Sequence, residues 1–587
     1  MKHPQFYAPA CTPEHRQCSA AFTVLSRASR RLCLALLALA CAALPVTTFA
    51  SRIVYLAEQD TAYVNELYLV DLDAPGITIK LNRSLPFTAY GVGGFAVSPD
   101  GSRIVFTADQ SASGVSDLYL VDLAALGTWT RLGSLGADRQ ELFARFSPDG
   151  NKVAFTASDE FFGNVQLYVV DLADPTNDIR LNPDLVTDGA VSMTGFEFTP
   201  DSSRIVYGAS QDESKFDLYV VDLGLPGQTT KLNGPGGSVG DSFESRFSIT
   251  ADGERVVYSA VGSTPGMREL HVVSLQEPGA PIALNGAFQS AGGIFDFTLS
   301  PDGRWVAYVA DQETDQVMEA YLVEMAAPGI AIKLNRPVQS GAGLAQFTPD
   351  STAVLYVADQ DRGPDARDLY IVDVDRPAEP VRVNAPLNQD ETIVRYTLSP
   401  DGKWIAYAPE PFSGFAKDLM IVELASPGAA VKVNAPLPNG ALDWALPTFS
   451  PGGQEIAFLA VESVDESIQE LFFAKLSAPG VSTRLNGPLP PEGIVAVTPD
   501  SFAFLPADAP PTSAPSPETK SSGGGSTGVF TVLLLAAAVV ARRGRQLAAG
   551  LLRPCSDLRK IKTAWYAGCC SRYFLGLYWM SSEAIGG

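Results

Sequence analysis

Between residues 51 and 528 the sequence has no cysteine; the seven lie at Cys11, Cys18, Cys33, Cys41, Cys555, Cys569 and Cys570. That absence excludes a disulfide framework and a thiolate metal site from the body of the chain. Histidine is almost as scarce. His271 is the one imidazole between residues 51 and 528, too few for a catalytic triad or a zinc centre. It stands within Glu269-Leu270-His271-Val272-Val273 and reads as a neutral histidine covering a strand. Basic charge is short as well. The formal net charge of the chain is −23. Residues 1–50 carry +4 and residues 529–587 carry +6, which leaves −33 on residues 51–528. Such a body repels nucleic acid and anionic lipid and suits a well-solvated surface. A Gly-rich phosphate loop and a CxxC pair are also missing. Gly524-Gly525-Ser526-Thr527-Gly528 matches a nucleophile elbow only in letters, because no strand precedes it and no α/β sheet surrounds it.

What is present begins with two unusual ends. Arg27, Arg30 and Arg31 precede an apolar run from Leu32 to Val46, and Thr48-Phe49-Ala50 follows. This is the order of a secretory signal peptide, with Ala50 at the cut; a lipoprotein signal lipidated at Cys41 is the rival reading. At the other end, residues 506–528 form a Pro/Ser/Gly-rich linker that cannot build a core. It closes on Gly523-Gly524-Gly525. An apolar segment runs from Val529 to Ala541 and stops at Arg542-Arg543-Gly544-Arg545. Residues 529–545 are therefore expected to enter the inner membrane with the arginines on the cytoplasmic side, and residues 546–587 form an atypical tail.

The body, residues 51–505, is a repeat. One turn recurs at Ser98-Pro99-Asp100-Gly101, Ser147-Pro148-Asp149-Gly150, Thr199-Pro200-Asp201-Ser202, Thr250-Ala251-Asp252-Gly253, Ser300-Pro301-Asp302-Gly303, Thr348-Pro349-Asp350-Ser351, Ser399-Pro400-Asp401-Gly402, Ser450-Pro451-Gly452-Gly453 and Thr498-Pro499-Asp500-Ser501. Proline presets the first turn position and glycine supplies the positive φ. A strand-like run such as Arg103-Ile104-Val105-Phe106-Thr107-Ala108 follows each turn. Asp117-Leu118-Tyr119-Leu120-Val121-Asp122-Leu123 and its counterparts come next, centred on Leu67, Leu118, Leu167, Leu218, Leu270, Ala320, Leu369, Leu419 and Leu471. A third run ends in Leu-Asn in most copies, and a fourth precedes the next turn. Alternation with a period of two marks these runs as strands. Four strands per repeat of about 50 residues is the pattern of a propeller blade. The expected fold is all-β, a single β-propeller of about nine four-stranded blades, flanked by a signal peptide and a C-terminal transmembrane sorting helix. The chain opens at Ser51 on the second strand of a blade. Ile494-Val495-Ala496-Val497 is expected to supply that blade's first strand, with Phe502-Ala503-Phe504-Leu505 as a redundant second strand.

The turn, the Ile-Val-Phe-Thr-Ala-Asp run and the Asp-Leu-Tyr-Leu-Val-Asp run together resemble the TolB-like (WD40-like) propeller repeat. The α/β domain that precedes the propeller in TolB itself has no counterpart here. The glycine cluster, short apolar segment and arginine run resemble a GlyGly-CTERM sorting signal of Gram-negative bacteria. That resemblance implies cleavage near Gly523, Gly524 and Gly525 by a rhomboid-type protease (a rhombosortase) and passage through the export machinery to the surface; a plain membrane anchor is the alternative.

Successive connections in an antiparallel blade alternate between faces. The short turns share one face and the longer loops share the other, where binding is expected. Acidic and amide residues recur there just after the second strand, giving a candidate ligand or cation rim at Asp60, Asp109, Asp159, Asp212, Asp311 and Asp359. The competing reading is that they satisfy loop amides. No segment has calcium-loop spacing, so no cofactor is expected, although calcium is the ion such a rim would suit. Phe161, Phe162, Phe412, Phe415 and Trp444 are candidates for stacking on a sugar or peptide. The function expected is an exported, non-catalytic binding scaffold for a protein, peptide or glycan, in the periplasm, at the outer surface or outside the cell. The alternative is a hydrolase or lyase acting on extracellular polysaccharide through paired carboxylates.

Overall fold

The computed structural model describes residues 51–506 apart from short internal stretches. Asp159, Phe161, Phe162 and Trp444 fall in those stretches. The signal peptide with Ala50, the glycines Gly523, Gly524 and Gly525, the membrane segment and the tail also lie outside the described residues.

Nine antiparallel sheets follow one another along the chain, and they form a nine-bladed propeller with no helix among the described residues. The first complete blade comprises Val92–Val97, Arg103–Ala112, Val115–Asp122 and Thr130–Arg131, paired in that order from the axis outward. Blades 2 to 8 repeat it, opening at Gln140, Val191, Phe247, Ile294, Ala342, Glu391 and Ala441. In blade 8 the innermost strand is broken into Ala441–Leu442 and Thr448–Phe449, both paired with Glu455–Val461. Neighbouring blades meet mainly through their innermost strands, as blades converging on an axis must.

Each turn is built by its own side chains. Ser98 Oγ donates to Asp100 Oδ1 at 2.6 Å and accepts from Arg103 N at 2.9 Å, and Gly101 takes φ 71°. Where serine replaces the glycine, at Ser202 (φ 60°) and Ser351 (φ 62°), its hydroxyl accepts from the preceding turn, from Asp149 N at 3.1 Å and Asp302 N at 3.0 Å. Local strain of about 1–3 kcal/mol is thus offset by a bond between blades.

The apolar positions of the second and third strands fill nine separate clusters, each shared by two adjacent blades. An open row of nine blades would have eight interfaces, so the ninth cluster closes the ring. Tyr55 on Tyr68, Phe155 on Tyr168 and Tyr308 on Tyr321 stack across directly paired positions, with centroids 5.6, 5.5 and 5.2 Å apart.

Closure differs from the sequence expectation in one respect. The strand that completes blade 9 is Phe502–Phe504, paired with Arg52–Ala57; it is not a redundant second strand. Of Ile494–Val497, Val495 makes an isolated bridge to Ala57. The reason is packing. Phe502-Ala503-Phe504-Leu505-Pro506 matches Phe95-Ala96-Val97-Ser98-Pro99, and Phe502 and Phe504 enter the cluster shared with blade 8 while Leu505 enters the one shared with blade 1. The Thr498-Pro499-Asp500-Ser501 motif misled because it precedes the closing strand instead of following it. A belt of contacts confirms the alignment. A Cβ added at Gly150, Gly253 or Gly402 would meet the turn proline of the preceding blade (Pro99, Pro200, Pro349), and one at Gly101 would meet Pro506.

A candidate binding face

The carboxylates at the long-loop end of the second strand are buried, and they hold loops. Glu58, Asp109, Asp311 and Asp359 are all under a tenth exposed. Asp109 Oδ1 accepts from Gly91 N at 3.2 Å, and Asp311 Oδ1 from Gly293 N at 2.6 Å. Asp359 accepts from Gln339 N, from Ser340 N and Oγ, and from Gly341 N at 2.6–3.4 Å. Burial alone would push the Asp359 carboxyl up, but these donors hold it below the usual aspartate range. Asp109, Asp311 and Asp359 therefore fasten the loop entering their blade, which stands on the same face as the loop leaving the second strand, while Glu58 Oε2 accepts from Tyr63 N at 2.8 Å within that leaving loop. Asp60 and Asp212 sit elsewhere: Asp60 pairs with Lys80 at 2.6 Å, and Asp212 accepts from Tyr219 Oη at 2.9 Å. The five rim candidates among the described residues are thus divided between buried loop anchors (Asp109, Asp311, Asp359) and side-chain partners of the third and fourth strands (Asp60, Asp212). Among the described residues no group of three or more His, Cys, Asp or Glu is placed to hold a metal ion.

The glutamine at the next position links neighbouring blades at Gln59, Gln110 and Gln360. Gln59 Oε1 accepts from Tyr55 Oη at 2.8 Å and from Gly487 N of blade 8 at 3.0 Å, while its Nε2 donates to Thr78 Oγ1. Gln211 repeats the tyrosine and threonine bonds, and Gln360 accepts from Arg336 N at 2.9 Å.

Two further circuits escaped the sequence reading. In eight blades the asparagine of the Leu-Asn or Val-Asn pair accepts the amide of a third-strand residue fifteen positions earlier, as Asn486 does from Leu471 N at 2.8 Å. The basic residue two places before the asparagine pairs with an acid fourteen positions back. Arg484–Glu470 and Lys333–Glu319 do so at 2.7 Å, and Lys80–Glu66, Lys231–Asp217 and Lys432–Asp418 repeat it. The signal was legible as Lys/Arg-Leu-Asn or Lys/Arg-Val-Asn, with an acid opening the preceding strand. Much of the acidity thus lies at repeated positions that the blade itself uses.

The central channel carries a different pair. At the position two residues before each turn, all nine innermost strands place a half-buried residue, among them Arg145 of blade 2 and Glu197 of blade 3. Burial pushes the Glu197 carboxyl up, and the Arg145 charge opposes that shift. The Arg145 guanidinium lies 5.2 Å from the Phe143 ring and 5.8 Å from that of Phe196, so it bridges two blades by cation–π contact.

Blade 7 varies the repeat. Where blades 9, 1, 5 and 6 have an acid followed by glutamine, it has Glu410-Pro411, set between Pro409 and Phe412. Its two inner strands stay paired out to Glu391 and Pro411. Phe412 and Phe415 are each about half exposed. A shallow concavity beside them is lined by Arg395, Glu410, Phe415, Leu446 and Pro447, among others. Arg395 Nη2 lies 3.3 Å from Glu410 Oε1.

No protein-family model matches this chain, and no curated protein is similar to it. Among solved structures the likeness in fold is carried by one with a TM-score of 0.50. A crystal structure of the eukaryotic initiation factor matches over 78% of this chain and 99% of that one, at 14% identity and a TM-score of 0.50. A prolyl endopeptidase structure matches over 66% of this chain and 60% of that one, at 14% identity and a TM-score of 0.36. At such identities the likeness is one of fold, and function has to be argued from the site.

Proposed function

We propose that the protein is an exported, non-catalytic TolB-like propeller that binds its ligand on the long-loop face and is held to the envelope from the opposite face. The observation that carries this reading is where the propeller begins and ends. Leu505 N bonds Arg52 O at 2.9 Å, and Pro506 packs on the Gly101 turn. The described propeller begins at Ser51 and ends at Pro506 on the turn face, so a tether that continues from Pro506 starts from that face. The apolar run before Ala50, and the glycine, apolar and arginine series from Gly523 to Arg545, support export and a sorting step by a rhomboid-type protease. Anchors such as Asp109 and Asp359 are committed to loops, which favours a scaffold over a carboxylate catalyst.

Tagged full-length protein in a Gram-negative host tests this. One epitope is inserted at Gly363 on the long-loop face and another at Gly279 on the turn face. Recovery outside the cytoplasm, with the Gly363 epitope labelled by antibody several-fold better than the Gly279 epitope, is the expected outcome. Cytoplasmic retention defeats the export reading, and equal labelling defeats the orientation.

The alternative, a hydrolase or lyase on extracellular polysaccharide, is favoured by one feature: a raised carboxyl at Glu197 in the channel is what a general acid requires. Release of reducing ends that disappears in Glu197→Gln would establish it.

A further inference from the structure

We infer that the concavity on blade 7 is a saccharide-binding site, with Phe415 as stacking platform and the Arg395–Glu410 pair as hydroxyl recognition. The inference rests on the binding-scaffold reading and names the class of ligand.

Three observations converge. First, the repeat changes its chemistry here. Glu410 stands where Asp359 stands in blade 6, but proline flanks it on both sides, Pro411 replaces the glutamine, and its carboxylate pairs with Arg395 at 3.3 Å. Second, the loop is held at both ends: Phe412 N donates to Asp390 O at 2.8 Å, and Ala416 O accepts from Leu442 N at 2.8 Å. Phe412 and Phe415 nevertheless remain 53% and 52% exposed. Exposed rings on a fixed loop are displayed at little further entropic cost on binding. Third, Arg395 and Glu410 line the same concavity and are only partly exposed, 27% and 19%. One presents only donors and the other only acceptors. A sugar hydroxyl does both, so adjacent hydroxyls can bridge such a pair, while the C–H face of a pyranose lies on an aromatic ring.

Affinity electrophoresis of the full-length protein, in native gels cast with dextran, xylan, amylopectin or alginate, tests the assignment. At least one polysaccharide is expected to retard the protein. Phe415→Ala and Arg395→Ala should each weaken the apparent Kd about tenfold or more. Ile282→Ser, at an exposed position on the outer strand of blade 4, should leave it unchanged. Phe415 contributes little to the core, so its truncation leaves folding intact, checked by an unchanged melting temperature; Arg395→Lys separates loss of charge from loss of the forked donor. Retardation by none of the four polymers, or retardation indifferent to Phe415→Ala, overturns the saccharide site. Binding to an immobilised peptide array that is lost in Phe415→Ala also overturns it, while leaving the binding-scaffold reading in place.

Discussion

At position 271 the tyrosine found in most third strands is a histidine, and its surroundings explain both what is kept and what is lost. The ring stacks on Tyr258 with centroids 5.5 Å apart, as tyrosines do in neighbouring blades. Its Nδ1 is buried without a hydrogen bond, and its Nε2 lies 3.7 Å from Glu269. Burial holds the imidazole below its usual 6.5, with Glu269 opposing. The folded state therefore prefers the neutral ring. This contribution is complete above about pH 6.5 and is lost as pH falls toward the lower folded value. In blades 9, 1 and 5 the tyrosine hydroxyl donates to an acid two residues earlier, as Tyr68 does to Glu66 and Tyr321 to Glu319. Glu269 stands ready in that place. His271→Tyr should stabilise the protein by about 1 kcal/mol at pH 5, with a smaller gain at pH 8, as read by urea denaturation at both pH values.

At the scale of the turn and the strand pair, stability rests on short polar circuits repeated around the ring. Asp201 is held down to about 2 by the Thr199 hydroxyl and then by the Ser203 hydroxyl and amide. Burial pushes the turn aspartates Asp100, Asp149, Asp252 and Asp401 up, but hydrogen-bond donors of the turn outweigh it and hold them below 3.8; at Asp350 the Thr348 hydroxyl leads and burial opposes it, with the same result. Because the folded value is depressed, their contribution is present above about pH 4 and drains away as pH falls toward 2. The urea midpoint should drop steeply between pH 4 and pH 2, and Asp201→Asn should flatten that drop. The asparagine circuit is costlier to break, since it satisfies a buried amide. Asn486→Ala leaves Leu471 N without its acceptor and should cost about 2 kcal/mol. Hydrogen exchange at the Leu471 amide should accelerate accordingly, and Asn486→Asp, which keeps an acceptor, should recover part of the loss.

At the scale of the molecule, the ring is closed by three residues near the end of the body. Phe502–Phe504 pairs with Arg52–Ala57, and both phenylalanines are under a tenth exposed. Every other blade is continuous in sequence, so blade 9 is the joint through which the propeller opens. Phe504→Ala should cost about 3 kcal/mol. A Phe502→Asp, Phe504→Asp double variant should strip hydrogen-exchange protection from Arg52–Ala57 while the amides of blades 3 to 6 keep theirs. Equal loss in all blades would mean that the ring melts as one unit and has no joint.

The sequence by itself determined the all-β class, the nine repeats and the two-ended closure. These follow from a period of two and from turn residues whose backbone preferences are local. It also determined which residues recur after each second strand. Only the tertiary structure decided what they do, because whether a carboxylate such as Asp359 meets solvent or a loop amide depends on a segment brought beside it from the preceding blade. The closing strand was undecided for the same reason: Ile494–Val497 and Phe502–Leu505 carry equivalent local patterns, and the packing of Phe502 and Phe504 against blade 8 selects between them. The concavity on blade 7 likewise arises from Arg395 and Glu410 on two paired strands and from Pro447, which reaches it from blade 8.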